Sequence, residues 1–174
     1  MDAYKAIVSH RAVRHFIDRP LSHEVLARIL RAGRWAGSSK NAQPWRFIVV
    51  RERKMLNQLV ECGRYADHLR SAAVVVVIVT EPGSFAAFDS GRAAQNMMLA
   101  AWAEGVGSCI AALHYEARAR AILGVPKDLQ VRLAISFGYP KPDAPQTIEG
   151  RPREQILVTI GRRPLDEIVH WEKW

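Results

Sequence analysis

The strongest pattern along this chain is the apolar run at residues 73–80, which reads Ala-Val-Val-Val-Val-Ile-Val-Thr. A continuous run of β-branched residues is typical of a strand that is buried on both faces. Such a strand must be covered by other elements on both sides. Shorter apolar runs predict further strands near residues 45–51, 108–113 and 130–137.

Helical spacing of the apolar residues predicts a set of helices around these strands. They lie near residues 2–10, 23–32, 55–60, 86–104 and 115–122, and the Gly-Val-Pro at 124–126 breaks the last one. Asp2 is a candidate N-cap for the first helix, and the second should be capped by Ser22 and ended by Gly33.

The segment 86–104 is apolar around much of its circumference, which predicts a helix in the centre of the core or in a dimer interface. Gln95 and Asn96 interrupt this apolar surface, and we expect them to form hydrogen bonds in the core and not to act in catalysis. Residues 139–152 contain four prolines and should form an extended loop. Residues 165–174 should form a short charged helix with Trp171 and Trp174, which needs another surface to pack on.

Length and composition fit one α+β domain over residues 1–174, because 174 residues with 49% apolar content can bury a substantial core. No internal repeat is present. No apolar run approaches the ~18 residues of a membrane span, and residues 1–20 lack the apolar centre of a signal peptide. We therefore expect a cytoplasmic protein without a membrane partner.

The net charge of +8 raises the question of nucleic-acid binding. The basic residues are scattered, however, and do not alternate with aromatic residues as they do in single-strand-binding proteins. A nucleic acid is therefore not an expected partner. A phosphate-bearing cofactor or an anionic substrate would explain part of the excess, and surface solvation the rest.

The sequence lacks the motifs of several common kinds of functional site. Cys62 and Cys109 have no metal-ligand spacing, so we assign neither a redox role, and no cluster of His, Cys and carboxylates predicts a metal. The Gly-Val-Gly at 105–107 follows a helix and lacks the third glycine of a dinucleotide-binding turn. No phosphate-binding P-loop or Gly-x-Ser-x-Gly hydrolase element occurs. For the isolated His68, His114 and His170, a surface or capping role is expected.

Two polar segments are the best candidates for a binding site. Residues 36–45, Ala-Gly-Ser-Ser-Lys-Asn-Ala-Gln-Pro-Trp, place hydroxyl and amide side chains directly before a strand. Taken alone, these residues would more often cap a turn. Arg11 and Arg14 lie three residues apart after the first helix, where guanidinium groups suit phosphate oxygens, although they could also be exposed cations at a helix end.

Together these segments resemble the nitroreductase family of FMN-dependent oxidoreductases. In that family an Arg-Arg-Ser-x-Arg-x-Phe-like element, here residues 10–16, is followed about twenty residues later by Ser-Ser-x-Asn-x-Gln-Pro-Trp, here residues 38–45. The resemblance continues through residues 89–101, 105–109, 137–140 and 162–169. It therefore covers nearly the whole chain in order.

The resemblance implies a nitroreductase-like α+β fold: a central, mainly antiparallel β-sheet flanked by helices, with a C-terminal segment exchanged across a homodimer that holds two FMN sites at its interface. It also implies that NADH or NADPH delivers hydride to flavin N5 and that an oxidised small molecule, such as a nitroaromatic or a quinone, then accepts the electrons in a ping-pong mechanism. The flavin carries the chemistry, so no side chain is assigned as an obligatory acid or base.

The resemblance also implies roles for single residues. Arg11 and Arg14 would contact the FMN phosphate and the pyrimidine edge of the flavin, with Ala12 contributing its backbone. Ser38, Ser39 and Asn41 would reach the flavin from the other subunit, supported by Gln43. Backbone amides of Ala111, Ala112 and Leu113 would lie against flavin N5. Arg162 would close the phosphate site, together with Arg163.

Three positions depart from the family pattern. His10 replaces an arginine, so one phosphate contact becomes doubtful or sensitive to pH. Ala12 replaces a common serine, and Gly37 replaces the usual proline. We therefore expect weaker retention of FMN during purification.

Two other functions stay open. One is a different flavin chemistry on the same scaffold, such as dehalogenation, oxidative dehydrogenation or flavin breakdown. The other is a flavin-binding or nucleic-acid-associated protein without catalytic activity. Steady NAD(P)H turnover, substrate-dependent flavin loss and salt-sensitive DNA binding would distinguish these functions.

Overall fold

A computed structural model describes residues 1–142 and 161–174. In these residues four strands form one antiparallel sheet in the order β1-β2-β4-β3. The strands are β1 (Trp45–Val50), β2 (Val74–Thr80), β3 (Gly107–Ala112) and β4 (Gln130–Gly138). The expected mainly antiparallel sheet is confirmed. Most of the loop predicted at residues 139–152 lies outside the described residues.

The predicted helices are present within a few residues of their expected bounds. They are α1 (Ala3–Ser9), α2 (His23–Arg34), α3 (Arg53–Val60), α4 (Ser84–Ala103) and α5 (Glu116–Leu123). Both predicted N-caps are confirmed, because Asp2 Oδ1 accepts from Lys5 N at 2.9 Å and Ser22 Oγ accepts from Val25 N at 3.2 Å. Of the described helices, none is long and apolar enough to cross a bilayer.

Strand β2 is buried along its whole length, as its composition predicts. Val75, Val77 and Val79 belong to one core cluster, and Val74, Val76 and Ile78 belong to a second. The first cluster includes residues of α3 and α5, and the second includes residues of α2 and α4. The sheet is therefore covered on both faces.

Gly33 does not end helix α2, contrary to the sequence prediction. The helix continues to Arg34, and Gly33 is buried within it. A Cβ at this position would lie 2.8 Å from Met97 Cγ in α4 and 3.1 Å from Phe47 Cζ in β1. The glycine is needed for close helix packing and not for a turn.

Helix α4 has a buried side and an exposed side. Ala93, Ala94 and Met97 are buried, as expected, and Asn96 Nδ2 donates to the Ala32 carbonyl at 3.3 Å. The hydrogen bond predicted for Asn96 is therefore confirmed, at a partly buried position, whereas the core role predicted for Gln95 is wrong because Gln95 is exposed. Phe85 and Phe88 are also exposed, at the start of the helix.

The sheet separates the two polar segments found in the sequence. Trp45, which follows residues 36–44, pairs with Thr80 at one end of β2. Ala12 forms an isolated bridge to Ser108, which lies at the other end of the sheet on the opposite edge strand. Strand geometry places these two points roughly 20 Å apart along the strands and roughly 14 Å apart across the sheet.

The C-terminal residues 161–174 are exposed throughout. The helix predicted for residues 165–174 is wrong in its length. A single 3-10 turn at Leu165–Glu167 is the only regular structure in this segment. Trp171 and Trp174 lie beyond that turn, and the ring of Trp174 stacks on His170 with centroids 4.3 Å apart. No other described residue covers these tryptophans.

The close approach at Gly33 predicts that Gly33→Ala destabilises the protein by about 1–3 kcal/mol, as overpacking in a core does. Without the close approach, the same change in a helix would stabilise by up to about 1 kcal/mol. Urea unfolding of the wild-type protein and of Gly33→Ala would measure the change in the free energy of unfolding.

The matched comparison is the double variant Gly33→Ala/Met97→Ala. It should be more stable than the sum of the two single changes predicts, because Met97→Ala makes room for the new methyl group. Stabilisation by Gly33→Ala alone would contradict the packing.

Candidate functional site

Residues 10–16 cross the end of the sheet and are held there by backbone hydrogen bonds. Val13 N donates to the Ser108 carbonyl, and Ile17 N donates to the Tyr139 carbonyl, each at 2.9 Å. Val13 and Phe16 are buried, whereas Ala12 and Arg14 are exposed. The buried residues anchor the segment, so Arg14 projects from a fixed backbone.

Arg11 and Arg162 lie near each other, although 150 residues separate them in the sequence. Burial and then the positive charge of Arg162 lower the pKa of the Arg11 guanidinium. Arg11 Nη1 donates to the carbonyls of Val8 and His10. Within residues 1–142 and 161–174, no carboxylate forms an ion pair with either arginine. The two cations therefore repel each other, and a bound anion would relieve this repulsion.

The side chain of His10 points inward. Its ring meets Trp102 edge-on with centroids 5.6 Å apart, and Nε2 lies 3.5 Å from Ser108 Oγ. Burial and the neighbouring Arg11 charge lower the pKa of His10, which favours the neutral ring. A contact between His10 and a cofactor stays a prediction, but a neutral ring packed on Trp102 is a poor substitute for an arginine.

Arg14 lines an open cleft of about 380 Å³ with His15, Tyr65, Asp67, His68 and Ser71. The Arg14 charge also affects the pKa values of two buried side chains near the cleft. It lowers the pKa of His68 and partly opposes the rise that burial causes in the pKa of Cys109. Arg14 therefore adds a positive charge to this end of the sheet, beside His68 and Cys109.

His68 is buried and hydrogen-bonded, so the surface or capping role expected for it is wrong. Its Nδ1 lies 2.8 Å from Ser136 Oγ, which donates to the Cys109 carbonyl at 3.2 Å. Burial and then Arg14 lower the pKa of His68 to about 4, against a smaller opposing effect of Asp67. His114, in contrast, accepts from the Arg64 backbone N–H, which is the capping role that we expected.

The three predicted backbone donors, Ala111 and Ala112 at the end of β3 and Leu113 directly after it, are not equally free to bind a ligand. Leu113 N donates to the Arg132 carbonyl at 2.8 Å. Because successive N–H groups of a strand point alternately toward and away from a neighbour, the Ala111 N–H also points toward β4. The Ala112 N–H points the other way, and Ala112 is exposed. Of these three residues, Ala112 therefore has the N–H that is open to a ligand, and its contact with a cofactor stays a prediction.

Residues 38–43 form a tight loop before β1. Ser38 Oγ accepts from Gln43 N at 2.9 Å, so this serine has a local capping role. Lys40, Asn41 and Gln43 have positive φ angles of 51°, 54° and 48°. Left-handed backbone costs roughly 1–2 kcal/mol for a residue with a side chain. The side chains of Ser39, Asn41 and Gln43 are exposed and open to a ligand.

One chain brings together only part of the predicted site. Arg11 lies near Arg162, and Arg14 lies at the same end of the sheet, but residues 38–43 lie at the other end and on the opposite edge. Arg163 is exposed and has no ion-pair partner in the described part of the chain. The two groups of predicted residues can meet only if a second copy supplies one of them.

Sequence reasoning missed Asp89 and Arg92 of α4. Asp89 is buried and its Oδ2 accepts from Ser39 N at 2.8 Å, while Arg92 Nη1 lies 3.7 Å from Asp89 Oδ1. A carboxylate in a helical segment that is apolar around much of its circumference was the available signal, because a buried charge requires a partner.

The described residues do not indicate a reactive thiol or a metal site. Cys62 and Cys109 are buried, and burial raises the pKa of both thiols. No group of three or more His, Cys, Asp or Glu in the described ranges could hold a metal ion.

Comparison with known proteins gives consistent matches. The model of the family described as "Nitroreductase family" matches residues 7–73 and 57–139. A protein of Archaeoglobus fulgidus, provisionally named NADH dehydrogenase/NAD(P)H nitroreductase, is 34% identical over 183 aligned positions, which cover 99% of each chain.

Two solved structures show the same fold over most of the chain. A Parabacteroides distasonis protein with the same provisional name has a TM-score of 0.82 and 26% identity, with 98% of each chain covered. The NADPH:FMN oxidoreductase of Vibrio harveyi, solved in complex with NAD+, has a TM-score of 0.81 and 25% identity, and the match covers 98% of this chain and 77% of that one.

The buried His68 predicts a specific dependence of stability on pH. Its pKa of about 4 in the folded protein is below its usual 6.5, so the unfolded chain binds the proton first as the pH falls. The free energy of unfolding should therefore decrease between pH 6.5 and pH 4, by at most about 3 kcal/mol. Above pH 6.5 this contribution is fully present.

Urea unfolding at several pH values would measure the effect. His68→Asn should remove this part of the pH dependence, whereas the matched change at an exposed position, His23→Asn, should keep it. Equal pH profiles for His68→Asn and the wild-type protein would contradict the prediction.

Proposed function

This chain belongs to the nitroreductase family, and on that premise we propose that it is an FMN-dependent oxidoreductase. It would take hydride from NADH or NADPH and reduce an oxidised acceptor of the nitroaromatic or quinone type. The relatives support this proposal, because their names include NAD(P)H nitroreductase, NADPH-flavin oxidoreductase and NADPH:FMN oxidoreductase.

The observation that carries the proposal is the proximity of Arg11 and Arg162 without a carboxylate between them in the described residues. Two neighbouring guanidinium groups without an ion-pair partner among the described residues repel each other and suit a phosphate, which accepts several charge-assisted hydrogen bonds. The residues present therefore fit the phosphate end of FMN. Arg163 is a further candidate for this end.

Arg14 and the edge of β3 would hold the ring system. Arg14 supplies a positive charge from a fixed backbone, and such a charge favours electron-rich forms of a ring beside it. The Ala112 N–H, directed away from β4, is the backbone donor best placed for the ring edge. When bound, the flavin would supply the hydride chemistry at N5.

The chain itself supplies no assigned acid or base. The cysteine thiols are buried and His68 is held neutral by its surroundings. These residues would therefore shape the site, and protons would come from solvent or substrate. Donor and acceptor would use the same open surface in turn, which predicts ping-pong kinetics.

The separation of the two polar segments supports a homodimer. Ser38, Ser39, Asn41 and Gln43 lie at one end of the sheet and Arg11 at the other, so one chain cannot complete a site containing both. A two-fold dimer would form two equivalent sites, each with loop residues from one subunit and arginines from the other. The exposed Trp171 and Trp174 would gain a surface to pack on.

The first experiment is visible absorbance after FMN addition and desalting, followed by anaerobic addition of NADH or NADPH. Retained yellow colour that bleaches with either donor would support the proposed oxidoreductase and identify the donor. Failure to retain flavin at micromolar protein would remove its main support.

The arginine pair predicts which changes weaken FMN binding. Arg11→Gln and Arg162→Gln should each raise the Kd for FMN by about tenfold or more, as expected for loss of a charge-assisted contact. Fluorescence titration would measure the Kd. The matched control is Lys127→Gln in an exposed loop, which changes the net charge equally and should leave the Kd nearly unchanged. A similar loss in the control would show a nonspecific charge effect.

A mixing experiment would test whether two subunits share each site. Arg11→Gln disables the arginine side, and Asn41→Gly removes a loop side chain while tolerating the positive φ. Refolding an equal mixture of the two chains should restore about a quarter of the FMN sites, because half of the dimers then contain one intact site. Binding no better than either variant alone would mean that each chain forms its own site.

A further inference from the structure

We propose that Asp89 and Arg92 of α4 form a clamp that fixes the conformation of residues 37–43, and that this clamp sets the affinity for FMN without touching the cofactor. Asp89 is thus a positioning residue, because it acts through the loop. The affinity part of this inference rests on the proposed function. The existence of the clamp does not.

The Asp89 carboxylate has two partners and almost no solvent contact. Its residue is 3% exposed. Oδ2 accepts from Ser39 N at 2.8 Å, while Oδ1 lies 3.7 Å from Arg92 Nη1. Burying a carboxylate is costly unless its oxygens are hydrogen-bonded or paired. Release of Ser39 would leave this buried charge with one partner fewer, so the bond favours a single loop conformation.

Arg92 holds the start of the same loop by contact. A Cβ at Gly37 would lie 2.7 Å from Arg92 Nη2 and 3.2 Å from Cζ. The guanidinium therefore occupies the space that a side chain at position 37 would fill. The glycine replaces the proline usual in the family, and in this chain it makes room for the clamp.

The loop needs an external anchor because its own conformation is strained. Lys40, Asn41 and Gln43 all have positive φ angles. The Ser38–Gln43 bond closes the loop on itself, and the loop side chains are largely exposed. Among the described hydrogen bonds, the one from Ser39 to Asp89 ties this loop to a helix. Without it, the strained residues can relax toward commoner backbone angles.

This anchoring has a direct consequence for binding. Ser39 and Asn41 are predicted to contact the flavin, and a ligand binds more weakly when only a fraction of the protein has the competent loop conformation. Loss of the clamp should therefore raise the Kd for FMN. It should leave the absorbance spectrum and the donor preference of the fully loaded protein unchanged.

The test compares Asp89→Ala with two matched variants. Asp89→Asn keeps an oxygen that can accept from Ser39 N. Ser90→Ala, one residue along the same helix, removes a buried hydrogen bond of 3.1 Å to Thr80 Oγ1 that does not involve the loop. Arg92→Gln is a second clamp variant. Because the Arg92 side chain is half exposed, this variant replaces Asp89→Ala in the test if Asp89→Ala fails to fold.

Two measurements are made on each protein: the Kd for FMN by fluorescence quenching, and hydrogen exchange of the Ser39 amide in the flavin-free protein. We expect Asp89→Ala to raise the Kd by about tenfold or more and to speed Ser39 exchange. Asp89→Asn should stay within about threefold of wild type, because a neutral acceptor retains part of the bond. Ser90→Ala should change neither quantity, and Arg92→Gln should raise the Kd severalfold.

The clamp is overturned if Asp89→Ala binds FMN as tightly as the wild-type protein, or if Ser90→Ala loses as much affinity as Asp89→Ala. The clamp is likewise overturned if Arg92→Gln changes neither the Kd for FMN nor the hydrogen exchange of the Ser39 amide. Failure of the proposed function has a different signature, because the wild-type protein would then bind no FMN. In that case unchanged Ser39 exchange in Asp89→Ala overturns the clamp, and faster exchange supports it as a structural device.

Discussion

All seven residues of β2 are buried, so both faces of the sheet must be covered by apolar helix surfaces. A polar group placed on either face would need hydrogen-bonding partners within the core. Ser136 satisfies that requirement through His68 and the Cys109 carbonyl. The polar residues of the candidate binding site lie instead at the ends and edges of the sheet. The predicted binding residues accordingly belong to segments that enter or leave strands.

The strands and helices were predictable because their signals are local. The β-branched run of β2 and the caps Asp2 and Ser22 depend on neighbouring residues, and the structure confirms them. Gly33, Gln95 and His68 were misjudged for the opposite reason. Their surroundings depend on how α2, α4 and the segment before β2 pack on the sheet. A glycine that permits close packing and one that ends a helix look alike in sequence.

The residues of the candidate site and their division between two subunits were predictable only through the family resemblance, because no local signal in the sequence gives their arrangement. Motif spacing identified Arg11, Arg14 and the loop at residues 38–43, whereas their placement at opposite ends of the sheet follows from strand order. The resemblance implied the proximity of Arg162 to Arg11, which no local pattern could show because 150 residues separate them. Asp89 was missed because its role requires contact with a residue fifty positions away. Tertiary structure alone assigns such a role.

Strand β1 pairs only with β2 among the described residues, so its outer edge carries backbone groups without strand partners. Trp45, Phe47 and Val49 share one face of this strand, and Arg46 is its single charge. A sheet edge with unpaired backbone groups is a template for aggregation, and charges or covering segments normally protect it. In a newly made chain this edge is therefore open to pairing with a strand of another molecule, and Arg46 is the only charge on the strand that opposes such pairing.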